Sequence, residues 1–204
     1  MKLYHHPFSQ HARRVRILCH ELGLTPELIP VALEKGEHMA PEFLRLNSAH
    51  AVPVLDDGGF VLAESHAIMR YLCQRHGGER FYPVDIAQRA QVDQWLDWTH
   101  CKLNPPIQTL AIQLMFMGDK SDPAVVQTAR REAAQALQVL EGALPLQRGV
   151  GSPQSSLADI AAATTLALYA ACQGDLESAP GVRSWFDRLR SQEAFVATQA
   201  PAMA

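Results

Sequence analysis

Apolar and polar positions change rhythm along the chain, and the change divides it in two. Within residues 1–77, KLYH alternates as a short strand, after which Ala12, Val15, Ile17, Leu18 and Leu22 recur at helical spacing up to Gly23. Arg13, Arg14 and Arg16 form a basic outer face on that helix. LTPELIPVAL reads as a second strand and APEFLRLN as a short helix with Pro41 in its first turn. VPVLDD and FVL form a hairpin around Asp57-Gly58-Gly59, and ESHAIMRYLCQRH closes the series as a helix. The resulting order, βαβαββα, is that of a small α/β layer sandwich.

Around GGERFYPVD the periodicity lapses into glycine, proline and charge, which suits a linker over residues 78–85. No strand pattern survives beyond it, so residues 86–204 are expected to form an all-α domain. The stretch from Ile86 to Met117 is helical by the spacing of Val92, Trp95, Leu96, Leu103, Leu110 and Leu114. Pro105-Pro106 must break or kink it, leaving one bent helix or two. Asp122-Pro123 opens a long helix to about Leu144. Ser156-Leu157-Ala158-Asp159 is a variant capping box before an almost wholly apolar helix, 157–172, which must be buried as the centre of that domain. GVRSWFDRLRSQ gives a last amphipathic helix, and the tail QAPAMA is expected to fray.

Composition narrows the partners. A chain of 204 residues with 48% hydrophobic content suits two small domains. Its net charge is −3, and it has no run of Lys or Arg longer than the pairs Arg13-Arg14 and Arg130-Arg131, which leaves no footprint for nucleic acid or an anionic membrane. MKLYHHPFSQHARR lacks the apolar core of a secretory signal, and the longest apolar stretch, LADIAAATTLALYAAC, is short and carries Asp159. A cytoplasmic, non-membrane protein is the expectation. Cys19, Cys73, Cys101 and Cys172 are scattered with no C-x-x-C pair, so each reads as a small buried apolar residue. His5, His6, His11 and His20 lack metal-ligand spacing, and no metal is expected.

Candidate chemistry gathers at three places. If Val52-Pro53 is cis, the backbone of Val52 is held away from the sheet and can pair with an extended peptide-like ligand. A trans proline opening an edge strand is the alternative. Glu64-Ser65, where a helix begins, reads either as capping or as a site in which Ser65 and the helix N-terminus take a carboxylate and Glu64 an ammonium. Ser9, between the first strand and helix, is a cap or a donor to an anion, and no G-x-S-x-G elbow makes it a nucleophile. His38 and His50 flank the same crevice as surface residues or as donors to a second carboxylate.

In order along the chain, LYHHPFSQHARRV, GEHMAPEFLRLNSAHAVPVL, ESHAI, WLDWTHCKL, SLADIAAA and GVRSWFDRLRSQEAF resemble the cytosolic glutathione transferase superfamily, nearest its theta and delta classes and their bacterial relatives. The resemblance implies a thioredoxin-like N-terminal domain followed by an all-α domain. It implies glutathione as co-substrate, with Pro53 as the cis-proline and Val52 pairing its backbone with the cysteinyl part. Glu64, Ser65 and His66 would hold the γ-glutamyl end, and His38 and His50 the glycyl carboxylate. Ser9 would donate to the sulfur, favouring a thiolate that attacks a small hydrophobic electrophile. Lowering a thiol pKa by about two units from near 8.5 takes roughly 2.7 kcal/mol, more than one neutral hydrogen bond supplies. The dipole of the first helix and Arg13 would therefore have to help. Phe8, Trp98, His100, Leu103 and Phe116 would line the electrophile pocket, and a homodimer would bring Tyr71 and Trp95 near its seam.

Departures from the family pattern carry consequences of their own. Gln10 stands where beta-class relatives have cysteine, which argues against mixed-disulfide chemistry, and the S-S-C-S isomerase motif is absent. His66 replaces the arginine usual in the delta class, which weakens one ligand to the γ-glutamyl end, and Asn104-Pro105-Pro106 departs from the theta pattern, which implies an electrophile pocket of its own shape. The same scaffold also serves non-catalytic binding proteins and glutathione-dependent peroxidases or dehalogenases, which differ in the pocket rather than the thiolate site.

Overall fold

Strand β1 (Lys2–His5) lies at the centre of a four-stranded sheet in a computed structural model that describes residues 1–151 and 154–200. It pairs in parallel with β2 (Glu27–Pro30), Leu3 opposite Leu28, and antiparallel with β3 (Val54–Asp57), Leu3 opposite Leu55. Strand β4 (Phe60–Ala63) completes the order β2-β1-β3-β4. Pro30 ends an edge strand, the one place where its missing donor is harmless. Gly58 and Gly59 take φ of 65° and 97° in the two-residue hairpin turn, as that turn requires.

The period-two alternation separates the two faces of the sheet. Tyr4 and Val54 pack with Val31, Phe43 and Val52 on the face covered by α2 (Pro41–Leu44). Leu3 and Leu55, both fully buried, serve the other. Helices α1 (Gln10–Glu21) and α3 (Ser65–His76) pack against one another. The chain forms two compact units, Met1–Glu79 with the segment from Glu193 onward, and Arg80–Gln192.

The second unit is helical throughout its regular elements. Helix α4 (Ile86–Trp98) runs without interruption through a wide π turn, Thr99–Leu103, into α5 (Asn104–Ala111) and a second wide turn, Ile112–Phe116. The two prolines therefore neither break nor split the run. The Asn104 N–H reaches back five residues to the Thr99 carbonyl, and this wider turn accommodates Pro105, which has no N–H to donate. Helix α6 (Pro123–Ala143) is capped by Asp122, which accepts from the Ala124 N–H at 2.8 Å. Helix α7 (Leu157–Ala171) packs against α4, α5 and α8 (Pro180–Arg190) and starts in a complete Ser156/Asp159 capping box.

Three expectations are corrected. Helix α8 is not the last: α9 (Glu193–Ala197) follows and packs on α1, where Arg13 Nη2 donates to the Phe195 carbonyl at 2.9 Å and the guanidinium lies over the Phe195 ring. Five residues are too few to show a helical period. Arg14 does not belong to an outer face, because it is 1% exposed. It follows Gln10 and precedes Leu18 by four residues each, and both of those are buried as well. Cys101 is exposed, while Cys19, Cys73 and Cys172 are buried, the first two with thiols pushed up to about 12 by desolvation. Residues 201–204 of the tail lie outside the described residues.

Gly149 is a point of close approach within the second unit. At φ 80°, a Cβ there would stand 2.5 Å from the Gln91 carbonyl carbon and oxygen. Gly149→Ala is expected to destabilise the protein by about 2–3 kcal/mol, from the left-handed backbone and the clash together, read as a lower urea midpoint at unchanged m.

Candidate active site

The sheet register collects the candidate segments at one end. His5 ends β1 opposite Pro30, Tyr4 stands opposite Val54 at the start of β3, and Val54 stands opposite Ala63 at the end of β4. The loop to Ser9, the Val52-Pro53 peptide and the Glu64-Ser65 junction thus leave the same edge of the same three strands. The loop that carries His38 follows β2 from that edge.

Ser9 is the N-cap of α1. Its Oγ accepts the Ala12 N–H at 3.2 Å, and its carbonyl accepts the Arg13 N–H at 2.9 Å. The capping and donor readings are compatible, since a hydroxyl that accepts in the cap still has its own proton to donate. No acidic residue occupies the first turn of α1, so the positive end of its dipole is not offset. The loop before it is fixed by His6, whose Nδ1 accepts the Phe8 N–H while Nε2 stands 3.4 Å from Glu34. Phe8 is 45% exposed.

The Val52-Pro53 peptide is cis. The Val52 side chain is buried in the cluster with Val31, Phe43 and Val54, and the ladder with β1 begins only at Val54. Asn47, which the sequence did not single out, orders the approach to this peptide. Its Nδ2 donates to the Ala51 carbonyl at 2.8 Å and its Oδ1 accepts the Ala49 N–H at 3.0 Å. An Asn between a short helix and a proline was the available signal. His50 is exposed, with φ 57°, and donates its N–H to the Asn47 carbonyl. His38 is half-buried, with an Nδ1 that has no hydrogen-bond partner.

Glu64 precedes α3 at φ 68° and ψ 112°, a conformation a non-glycine residue adopts only at a cost of about 1–3 kcal/mol. Its side chain is exposed and makes no cap hydrogen bond, so helix capping does not account for it. Ser65 beside it is buried, and the Glu64 carbonyl accepts the Ile68 N–H at 2.9 Å. His66 Nε2 stands 2.7 Å from Arg14 Nη1. Burial pushes the Arg14 guanidinium down to about 9, which leaves it charged at neutral pH.

The residues expected at the electrophile pocket divide between the units. In the helical unit Trp98 is half-buried, with its ring 5.0 Å from Trp95, His100 is exposed, and Phe116 is 74% exposed. Leu103 is fully buried in the π turn, which packs against α6 and α7. Tyr71 donates to Asp57 at 2.8 Å and stacks with the half-exposed Phe60. Among the described residues no cluster of His, Cys, Asp and Glu could hold a metal, and no helix is long and apolar enough to cross a membrane.

Comparison with known proteins fits this geometry. Residues 3–80 match the glutathione S-transferase N-terminal domain and residues 103–193 the C-terminal domain. The chain is 33% identical to glutathione S-transferase 3 of Zea mays, covering 98% of this chain and 93% of that protein. It is also 33% identical to glutathione S-transferase theta-1 of Bos taurus, over 94% of this chain and 82% of that one. A glutathione transferase of Phanerochaete chrysosporium, solved in complex with oxidized glutathione, superimposes with a TM-score of 0.88 at 27% identity, covering 97% and 93% of the two chains. Both domains are matched in chain order over nearly the full length, and the chain belongs to the glutathione S-transferase superfamily of enzymes.

Proposed function

We propose that this enzyme conjugates glutathione to small hydrophobic electrophiles, with the Ser9 hydroxyl donating to the glutathione sulfur and holding it as the thiolate. The observation that carries the reading is the convergence, at one end of one sheet, of Ser9, which caps α1 and still has a hydroxyl proton to donate, the Val52-Pro53 cis peptide and the strained Glu64 beside buried Ser65. Glutathione offers a match to each. The thiolate accepts a hydrogen bond from the Ser9 hydroxyl, the cysteinyl amide pairs with the Val52 backbone, and the γ-glutamyl end takes Glu64, Ser65, His66 and the N-terminus of α3. His38 and His50 serve the glycyl carboxylate. Arg13 is engaged by the Phe195 carbonyl, so the dipole of α1 is the second contribution to the thiolate.

The electrophile class and the pocket residues Phe8, Trp98, His100, Leu103 and Phe116 are assigned by family resemblance; of these, Phe8 is 45% and Phe116 74% exposed. A homodimer using the Tyr71 and Trp95 surfaces and a cytoplasmic setting belong to the same reading. Calorimetric titration with glutathione is expected to give one site per chain, and mixing with a chlorinated nitroaromatic to release chloride as the thioether forms. Absence of binding heat at millimolar glutathione would overturn the reading.

A further inference from the structure

His66 is the second residue of α3, next to buried Ser65, and Arg14 reaches it from α1, the helix that Ser9 caps. A guanidinium has only N–H donors and no acceptor, so at 2.7 Å the Nε2 of His66 has to supply the lone pair, whatever else either side chain touches. A protonated imidazole would set two donors and two positive charges against each other at that distance. The ring is therefore neutral with its proton on Nδ1. Arg14, 1% exposed and charged, imposes this through its Nη1.

We infer that Arg14 is a positioning residue that fixes His66 as the Nδ1–H tautomer, making it a neutral hydrogen-bond donor to the γ-glutamyl carboxylate of glutathione. The identity of the ligand rests on the function proposed above, whereas the tautomer does not. An arginine at position 66 would bring its own charge to the carboxylate. Here the charge is buried one residue behind, and the imidazole presents a directional N–H in its place.

Nitrogen-15 NMR of the imidazole rings in the ligand-free, full-length protein reads the tautomer directly, with the His66 signals assigned by their loss in His66→Asn. An Nδ1-protonated, Nε2-unprotonated ring is expected at neutral pH, and an Nε2-protonated ring or an imidazolium would overturn the inference. Two substitutions leave the buried arginine itself in place. In His66→Asn the amide nitrogen can occupy the Nδ1 place, and KM for glutathione should stay within about threefold. In His66→Gln the amide can occupy only the Nε2 place, and KM should rise about tenfold with kcat at saturation little changed. Equal KM values for the two would overturn the inference. Arg14→Met should raise KM as His66→Gln does and release the ring to mixed tautomers, and retention of the Nδ1–H form in that variant would remove Arg14 from the account. Against a glutathione analogue lacking the γ-glutamyl carboxylate, wild type and His66→Gln should bind alike. If wild type binds no glutathione while its ring is Nδ1-protonated, the ligand assignment falls and the Arg14–His66 arrangement stands. If glutathione binds and the ring is otherwise protonated, the reverse holds.

Discussion

Replacing Ser9 by alanine is expected to lower kcat/KM for conjugation about 10- to 100-fold at neutral pH, with glutathione affinity changed only a few-fold. A hydrogen bond to a charged acceptor contributes about 1.5–3 kcal/mol, and it acts on the thiolate far more than on the thiol. Its loss should raise the pKa of the bound thiol by about 1–2 units. The deficit is therefore largest below the wild-type thiol pKa and closes as pH rises above about 9, where the sulfur ionises without help. A loss independent of pH would show that the hydroxyl does something else. Because Ser9 also caps α1 through the Ala12 N–H, alanine removes about 1 kcal/mol of stability as well. Ser9→Gly separates the two roles. Glycine retains most of the cap preference but has no proton to donate, so it should be as inactive as alanine and more stable.

The strand and helix order of the first unit was legible because each element carries its own local signal. KLYH alternates, VPVLDD puts adjacent apolar residues ahead of an acidic turn, Gly58-Gly59 supplies the two positive φ values of a tight hairpin, and Gly23 and Gly77 follow the last apolar positions of α1 and α3. The Ser156/Asp159 box was legible for the same reason, since a cap is a contact within four residues. What escaped depends on chain segments far apart. Helix α9 is five residues long, and its place on α1 is set by Arg13 meeting the Phe195 carbonyl, 182 positions away. The wide turn before Pro105 also escaped, because a proline pair in a helical pattern signals interruption and gives no hint of which neighbouring carbonyl will be reused.

At the candidate site, the residue types stand out in the sequence, but how they are held does not. Ser9, Pro53, Glu64 and Ser65 stand out by residue type at element boundaries. Arg14 did not, because an arginine between Arg13 and Arg16 reads as one more surface charge. Its burial was implicit in its place four residues from both Gln10 and Leu18, yet neither residue announces a polar partner on α3. That partner, His66, looked like a departure that weakened ligand binding. With Arg14 2.7 Å behind it, the same substitution becomes, on the inference drawn above, a relocation of charge from the ligand to the core. Asn47 belongs to the same class, a polar residue whose work is to shape the backbone on which the site depends.

Asp159→Ala should destabilise the protein by about 3–5 kcal/mol, enough to lower Tm by roughly 10 °C, without touching any residue assigned to glutathione. The carboxylate is fully buried and accepts the N–H groups of Gly151 at 2.8 Å and Ser156 at 2.7 Å, and the Trp185 indole N–H at 3.0 Å, with the Ser156 hydroxyl 2.8 Å away. Alanine leaves these donors buried, at about 1–3 kcal/mol for each that finds no water. Asparagine is a poor rescue, because its amide N–H₂ would face donors. Burial holds the Asp159 carboxyl above its ordinary value near 3.8, and the donors pull it only partly back. The folded state therefore binds the proton more tightly than the unfolded state. The stabilisation linked to that proton is complete below the unfolded pKa and is lost as pH rises through the folded one. The gap between wild type and Asp159→Ala, measured by urea unfolding, should accordingly be wider near pH 4 than near pH 8. A gap that widens with pH instead would mean that the donors outweigh burial, and that this cap is held together chiefly by its charge.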